Sequence, residues 1–573
     1  MEMRAYRIAS LLAALVVAGG LTSAQVGRGW SDWPTPYADA QRTSWLRSDQ
    51  NISVESMSKP GFELQWTSRL DNQRGGRQGL TQGVTASGVT LFVPTSLIAG
   101  SSNSLYMLDN DTGYVVWSRT FDGPPPSASA VCSGGITAAP TRIVSGAAAP
   151  RSDPVATAPP AGRGNQGYRS LLGEPGQGIP VEPRAGGPGR GAGAPARQGG
   201  APGPGGAQGA GIPGAPNVGG GGLGRAMVGY AVAGDGQMHV VGLQSGKDLQ
   251  KPAPFLPAHS QWSNPVAVGT MLYAATSGNC AGAPNGVYAI DLDAPDKPVV
   301  SYRTNGGSVI GSVAFSSDGN ALLAAIGPGT VSGDGKVNAI VALDPRTLQL
   351  RDWFTQPTAE FVTGPTVFRH GTKDVVAAAT KDGRVLLLDA ASLGGANHAT
   401  PLLASQPLFA SGGSISTEAL STWARASATA SATPGSDARW ILVPISGRPS
   451  GARATSGAIR NGAILALRVA ETRGVFSLEP QWTSDDLTTP ATPITVNGVV
   501  FALSTGRPAA AGRTGPPAVL YAYDGLTGKA LWNSGQSMTT FASPGSYWSA
   551  LSQVYVGTDD GTVYAFGFLD ERR

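Results

Sequence analysis

Leu105-Tyr106-Met107-Leu108-Asp109, followed by Thr112-Gly113 and Trp117, returns as Leu520-Tyr521-Ala522-Tyr523-Asp524, followed by Thr527-Gly528 and Trp532. Asp, Thr, Gly and Trp keep one spacing in copies more than 400 residues apart, which is the signature of an array built from one supersecondary unit. The phrase has a mechanical reading. Alternating apolar positions form a strand, and Asp-x-x-Thr-Gly supplies the side-chain acceptors and the permissive glycine of a tight turn. The Trp then falls in the next strand.

Weaker copies fill the interval. Ala339-Ile340-Val341-Ala342-Leu343-Asp344 is followed by Thr347 and Trp353, with one extra residue before the Trp that predicts a bulge or a longer turn. Val287-Tyr288-Ala289-Ile290-Asp291, Val385-Leu386-Leu387-Leu388-Asp389 and Ala463-Ile464-Leu465-Ala466-Leu467 repeat the strand alone. Gly234-Asp235-Gly236, Lys381-Asp382-Gly383 and Asp559-Asp560-Gly561 read as hairpin turns leading into that strand. The units fall near 84–120, 134–255, 262–304, 307–356, 361–408, 412–484, 490–535 and 542–568. The last has only three strands, and Phe62-Glu63-Leu64-Gln65-Trp66-Thr67-Ser68 matches the outer strand Leu478-Glu479-Pro480-Gln481-Trp482-Thr483-Ser484. The expected fold is therefore all-β: an eight-bladed β-propeller of four-stranded antiparallel blades over 62–568, closed by the N-terminal strand. With 81 Gly, 44 Pro and 14% charged residues, the composition is that of a turn-dense β chain.

The repeat resembles the pyrroloquinoline quinone (PQQ) repeat of quinoprotein dehydrogenases. It is nearly literal in Val554 to Ala565 and in Tyr521 to Trp532 with Lys529. The opening stretch Ser31-Asp32-Trp33-Pro34, through Arg42-Thr43-Ser44, is also similar to the N-terminal segment of those enzymes.

The ends and one insert bear on location. Met1 to Ala24 carries Arg4 and Arg7, an apolar run from Ile8 to Leu21 and small residues before Gln25, so it reads as a secretory signal peptide. Residues 25–61 form the N-terminal segment and 569–573 a short tail. After signal cleavage no transmembrane segment is expected, and the protein is expected to be exported, to the periplasm or outside the cell. Residues from about 146 to 225, rich in Gly, Pro and Arg, offer too few large apolar side chains to offset their ordering entropy, and read as a disordered insert in the second blade. Between 151 and 225, seven arginines against three acidic residues give +4, equal to the charge of the whole chain. The rest is near neutral, so no nucleic-acid partner is expected. The only cysteines, Cys132 and Cys280, flank connections on one face of neighbouring blades, and either bridge or remain two thiols.

Chemistry-bearing motifs are sparse. Gly162-Arg163-Gly164-Asn165-Gln166-Gly167 has the spacing of a dinucleotide loop but sits inside the low-complexity insert. Four histidines show no zinc or haem spacing. The inner strands begin at a recurring Pro (Ala139-Pro140, Asn264-Pro265, Gly364-Pro365, Thr492-Pro493, Ser543-Pro544), with Glu418-Ala419 in the same register. What the resemblance implies is PQQ and a calcium ion at the channel mouth, with Glu418 and Asn264 as oxygen ligands and Trp262 or Trp548 as a stacking floor. The adjacent cysteine pair and the inner-strand Asp of those enzymes have no counterpart here. Long connections are expected at 94–104, 276–286, 326–336, 446–461 and 505–517, with Arg448, Arg453, Arg460, Arg507 and Arg513 on two of them. Two functions follow: a cofactor-free propeller binding a protein or cell-envelope ligand through its loop-rich face, by analogy with the propeller of the outer-membrane protein assembly machinery, or a PQQ- and calcium-dependent dehydrogenase of an alcohol or sugar.

Overall fold

A computed structural model of the protein describes residues 32–70, 79–86, 94–122, 132, 135–144, 227–358, 360–415, 418–425, 438–450, 457–506 and 515–568. Residues 1–24, expected to be a signal peptide, the Gly/Pro/Arg-rich insert and the tail lie outside the described residues. Eight antiparallel blades form a propeller. Their inner strands, in chain order from blade 1, are Val84–Ala86, the stretch around Thr141, Val266–Val268, Val309–Phe315, Thr366–His370, Ser421–Ala424, Ile494–Val496 and Ala542–Ala550. The expected closure is present: Phe62–Arg69 pairs antiparallel with Thr562–Phe568 and becomes the outer strand of blade 8. In blade 2 the inner strand is reduced to a bridge between Thr141 and Tyr230, because Ile143–Val144 leans away and pairs parallel with Ala267 and Val268 of blade 3.

The recurring Trp and Gly are two halves of one joint. Trp66 of blade 8 lies over Gly113 of blade 1, Trp117 over Gly246 of blade 2, and Trp482 of blade 6 over Gly528 of blade 7. Each indole N–H donates to a carbonyl of the neighbour's turn: Asn110 at 2.9 Å, Leu243 at 2.8 Å and Gly525 at 2.8 Å. Each glycine has a left-handed φ of about 70° (72°, 67° and 70°), and a Cβ on it would come within 2.4–2.7 Å of the indole. The repeat therefore conserves space as well as turn geometry. In blade 4 the same place is taken by Leu348 at φ 55°, whose N–H still closes the turn onto the Asp344 carbonyl at 2.8 Å. The bulge expected before Trp353 is present, and the same register shift recurs in blades 1, 6 and 7, so it belongs to the repeat and not to the extra residue.

The long connection expected at 94–104 is a correction. Thr95–Gly100 and Ser104–Asp109 are strands joined by a three-residue turn, whose polar groups are met by neighbouring segments: Asn103 donates to the Phe121 carbonyl at 2.9 Å and accepts from Gly234 N–H, and Ser101 N–H donates to the Gly79 carbonyl. Cys132 and Cys280 form a disulfide, tying the connector before blade 2 to the 3-10 turn Cys280–Gly282 between two strands of blade 3. Among the described residues no helix is long and apolar enough to cross a membrane.

The N-terminal segment is the unexpected element. Residues 32–49 run around the axis, through turns at 35–41, and meet the blades in numerical order. N–H groups of Thr85, Arg142, Phe315, Val367, Thr422 and Thr495 donate to the carbonyls of Trp33, Pro34, Ala40, Gln41, Thr43 and Ser44, all at 2.8–3.0 Å. The Thr35 hydroxyl donates to the Pro265 carbonyl of blade 3, and the Asp49 carboxylate accepts from the backbone and hydroxyl of Ser552 in blade 8. Trp45 and Leu46 add a short parallel strand to blade 7. We call residues 32–57 the strap.

The Trp–Gly joint makes a quantitative expectation. Gly371 also has positive φ (59°) but nothing stands within 4 Å of its missing Cβ. Gly371→Ala is expected to cost about 1 kcal/mol for left-handed backbone alone, and Gly528→Ala about 3 kcal/mol because the methyl also drives into Trp482. Urea unfolding of the two variants checks the difference.

Candidate functional site

The site is assembled where the inner strands begin. Pro265, Pro365 and Pro493 lack an N–H, and the residue before each is held extended, which presents Asn264, Gly364 and Thr492 toward the axis at one level. Glu418 occupies that level in blade 6. Its backbone carbonyl accepts from Gly364 N–H at 2.8 Å, and the following Ala419 carbonyl accepts from the Thr492 hydroxyl at 2.8 Å, so blades 5, 6 and 7 are stitched together. Gly311 of blade 4, at φ 61°, allows that strand to approach within a Cβ's reach of the Glu418 carbonyl.

Two candidate residues meet. The Asn264 amide donates to Glu418 Oε2 at 3.0 Å, joining blades 3 and 6 across the axis. The phenol of Tyr37, from the strap, donates to the same oxygen at 2.9 Å. Asn264 is held in that orientation because its Oδ1 accepts from Ala139 N–H at 2.9 Å; a flip would set donor against donor. Beneath it lies Arg42, fully buried, whose guanidinium donates to the carbonyls of Val313 (2.9 Å), Pro36 (2.8 Å) and Asn264 (3.1 Å) and to the Thr35 hydroxyl (3.3 Å). Sequence reasoning found Glu418 and Asn264 but missed Tyr37 and Arg42. The signal available for them was the polar and aromatic content of 33–45 in a segment too short for a domain of its own.

Electrostatics follow from the setting. Glu418 is crowded by protein but remains exposed to solvent as a residue, and Tyr37 and Asn264 engage its Oε2. Burial raises its pKa above the ordinary 4.5, opposed by the Tyr37 phenol, the Arg42 charge and the Asn264 amide. The open side moderates that rise relative to a dry core. Burial and the neighbouring carboxyl push the Tyr37 phenol well up, and burial brings Arg42 down to about 10.

Trp262 and Trp548 stand elsewhere. Trp548 is fully buried, stacked on Tyr555 at 5.2 Å with Gly83 against its ring, and donates to the Ser96 hydroxyl. Trp262 is packed with Tyr230, Met238 and Phe255 in the core between blades 2 and 3. Neither offers an open ring face beside Glu418. The donor set also fits calcium poorly. That ion takes six to eight oxygens, whereas the Asn264 oxygen is committed to Ala139 and its N–H₂ faces Glu418. Among the described residues no group of three or more His, Cys, Asp or Glu is placed to hold a metal. The residues present therefore do not fit a quinone and calcium pair.

On the rim, Arg448 and Arg460 are exposed, while Arg453, Arg507 and Arg513 lie outside the described residues. The blade 6 hairpin that carries the first two is braced. Asp486 accepts from the N–H groups of Arg460 and Asn461, and the Arg448 carbonyl accepts from Ala410 N–H.

No protein-family model matches the chain, and no curated protein matches it in sequence. Among solved structures it is similar to the quinohemoprotein alcohol dehydrogenase of Comamonas testosteroni, with TM-score 0.53 and 13% identity over 96% of this chain and 82% of that one. A quinohemoprotein alcohol dehydrogenase of Pseudomonas putida HK5 gives TM-score 0.52 and 11% identity over 94% and 80% of the two chains. A europium-containing methanol dehydrogenase gives 0.52 and 13% over 94% and 98%. The likeness is one of fold.

A pH dependence follows. Folding favours the protonated form of a carboxyl whose pKa it raises, so that stabilisation is complete below the unfolded pKa and is lost as pH rises through the folded value. Glu418 has this sign, and so does Asp559, pushed from 3.8 to about 6 by burial and by Asp560. His239 and His370, whose pKa values burial lowers, act with the opposite sign over the same range, so the carboxyl contributions are read from thermal melts of variants against wild type between mildly acidic and neutral pH. Glu418→Gln and Asp559→Asn should each gain on wild type as pH rises through that range and melt higher than wild type at neutral pH.

Proposed function

We propose that this chain is an exported, cofactor-free propeller that binds a protein or cell-envelope ligand through its loop-rich rim. The observation that carries the reading is the bridge across the axis: Tyr37 and Asn264 both donate to Glu418 Oε2, and the Asn264 oxygen, which a calcium ion would need, is taken by Ala139 N–H. A fold shared with quinoprotein dehydrogenases does not transmit their chemistry, since function resides in the site and not in the scaffold. Export is supported by the signal-like residues 1–24 and by a disulfide suited to an oxidising compartment. Loops positioned on one rim by a packed scaffold are the usual seat of recognition.

One observation favours the dehydrogenase reading, namely that Glu418 and Asn264 do meet at the axis. Titration of the mature protein with PQQ, with and without calcium and followed by quinone absorbance, separates the two. The expected result is no saturable binding. Calcium-dependent saturation that disappears in Glu418→Ala would replace the binding-module reading with a quinoprotein dehydrogenase acting on an alcohol or sugar.

A further inference from the structure

We propose that the axial groove is a binding site for a turned polypeptide segment, and that the strap, residues 32–57, is its ligand carried in cis. This is independent of what the rim binds. Three observations support it. First, main-chain donors of six blades bond six strap carbonyls between Trp33 and Ser44, and Trp45–Leu46 is added to the edge of blade 7 as a bound peptide strand is. Second, two side chains act as anchors. Tyr37 reaches Glu418, and Arg42 is enclosed by the carbonyls of Val313 and Asn264. Third, the strap has a defined, turned shape, closed by Ser44 N–H on the Tyr37 carbonyl and Thr43 on the Asp39 carboxylate, and seated against the blades. Tyr37, Ala38, Arg42 and Ser44 have φ of 63°, 72°, 61° and 54°, a left-handed conformation that non-glycine residues rarely adopt unless their surroundings dictate it.

The strap is also separable. It ends in a short helix, Val54–Met57, with a capping box from Ser53 and Ser56, and the next four residues, Ser58 to Gly61, are all exposed before the outer strand of blade 8 begins. A break there removes no hydrogen bond of the axis. The groove is thus specific for a turned segment with an aromatic hydroxyl and a guanidinium five residues apart, and a second copy of residues 32–57 satisfies it as the first does.

The test replaces Ser58–Gly61 in the full chain by a specific protease site, with the uncut protein as the folding control. After cutting, the N-terminal fragment should co-elute with the disc and be displaced by an excess of labelled synthetic peptide 32–57. A Tyr37→Phe peptide should compete about tenfold less well, the loss of one hydrogen bond to an ionisable partner, and an Arg42→Met peptide should not compete. The unmodified chain supplies a second readout. In Tyr37→Phe, the amides of Thr85, Arg142, Phe315, Val367, Thr422 and Thr495 should exchange hydrogen faster as a group, while ladder amides within the blades keep wild-type rates. The proposal is overturned if cutting unfolds the disc, if the fragment leaves at once or never exchanges, if the variant peptides compete equally, or if the six amides exchange only with the rest of the molecule.

Discussion

The constraint on which this molecule depends is the fate of the inner strand edges. Closing eight blades into a ring removes the free edge between first and last, but it turns eight inner edges toward one axis, where their N–H groups need partners. The strap meets that need. Six of its carbonyls accept from the main chain of six blades, and the order of contacts copies the order of blades. The strap also precedes every blade in the chain, so its contacts with blades 4 to 8 span roughly 275 to 500 residues. Axial order is therefore among the most non-local features of the fold, and non-local pairing forms slowly because chain closure must come before the contacts that compensate it.

The outer parts of the disc were legible in the sequence for the opposite reason. The Asp-x-x-Thr-Gly turn and its Trp lie within nine residues of one another, so turn, strand and joint are written locally and repeated. The match between Phe62–Ser68 and Leu478–Ser484 revealed the closing strand because both copies face the same environment. Leu348 shows where this reading weakens: packing holds a leucine in left-handed backbone where the repeat elsewhere has glycine, and no spacing announces it. The axis was illegible in most respects. The proline register brought out Glu418 and Asn264, but their contact joins residues 154 apart in sequence, and the participation of Tyr37 and Arg42 depends on a path that no periodicity describes. The slab role expected of Trp262 and Trp548 followed from the family resemblance, whereas burial between blades governs where both rings lie.

The same axial level explains how one architecture can carry different chemistries. In a propeller the blades fix eight positions around a shaft, and the identity of the eight residues decides whether the shaft is open. Here a carboxyl from blade 6 reaches an amide from blade 3, and a phenol from the strap completes the span. Arg42 below adds a buried positive charge held by carbonyls rather than by a carboxylate. Such a centre is cohesive and polar at once. It leaves the braced rim as the part of the disc free to vary.

The disulfide between Cys132 and Cys280 has a topological consequence. The two half-cystines are 148 residues apart, and the covalent ring they close contains the whole of the Gly/Pro/Arg-rich stretch. A single break of the backbone anywhere inside that ring leaves one covalent molecule rather than two. The chain therefore bears its most compositionally open region within a closed circuit, and scission there opens the circuit without releasing either end of the polypeptide.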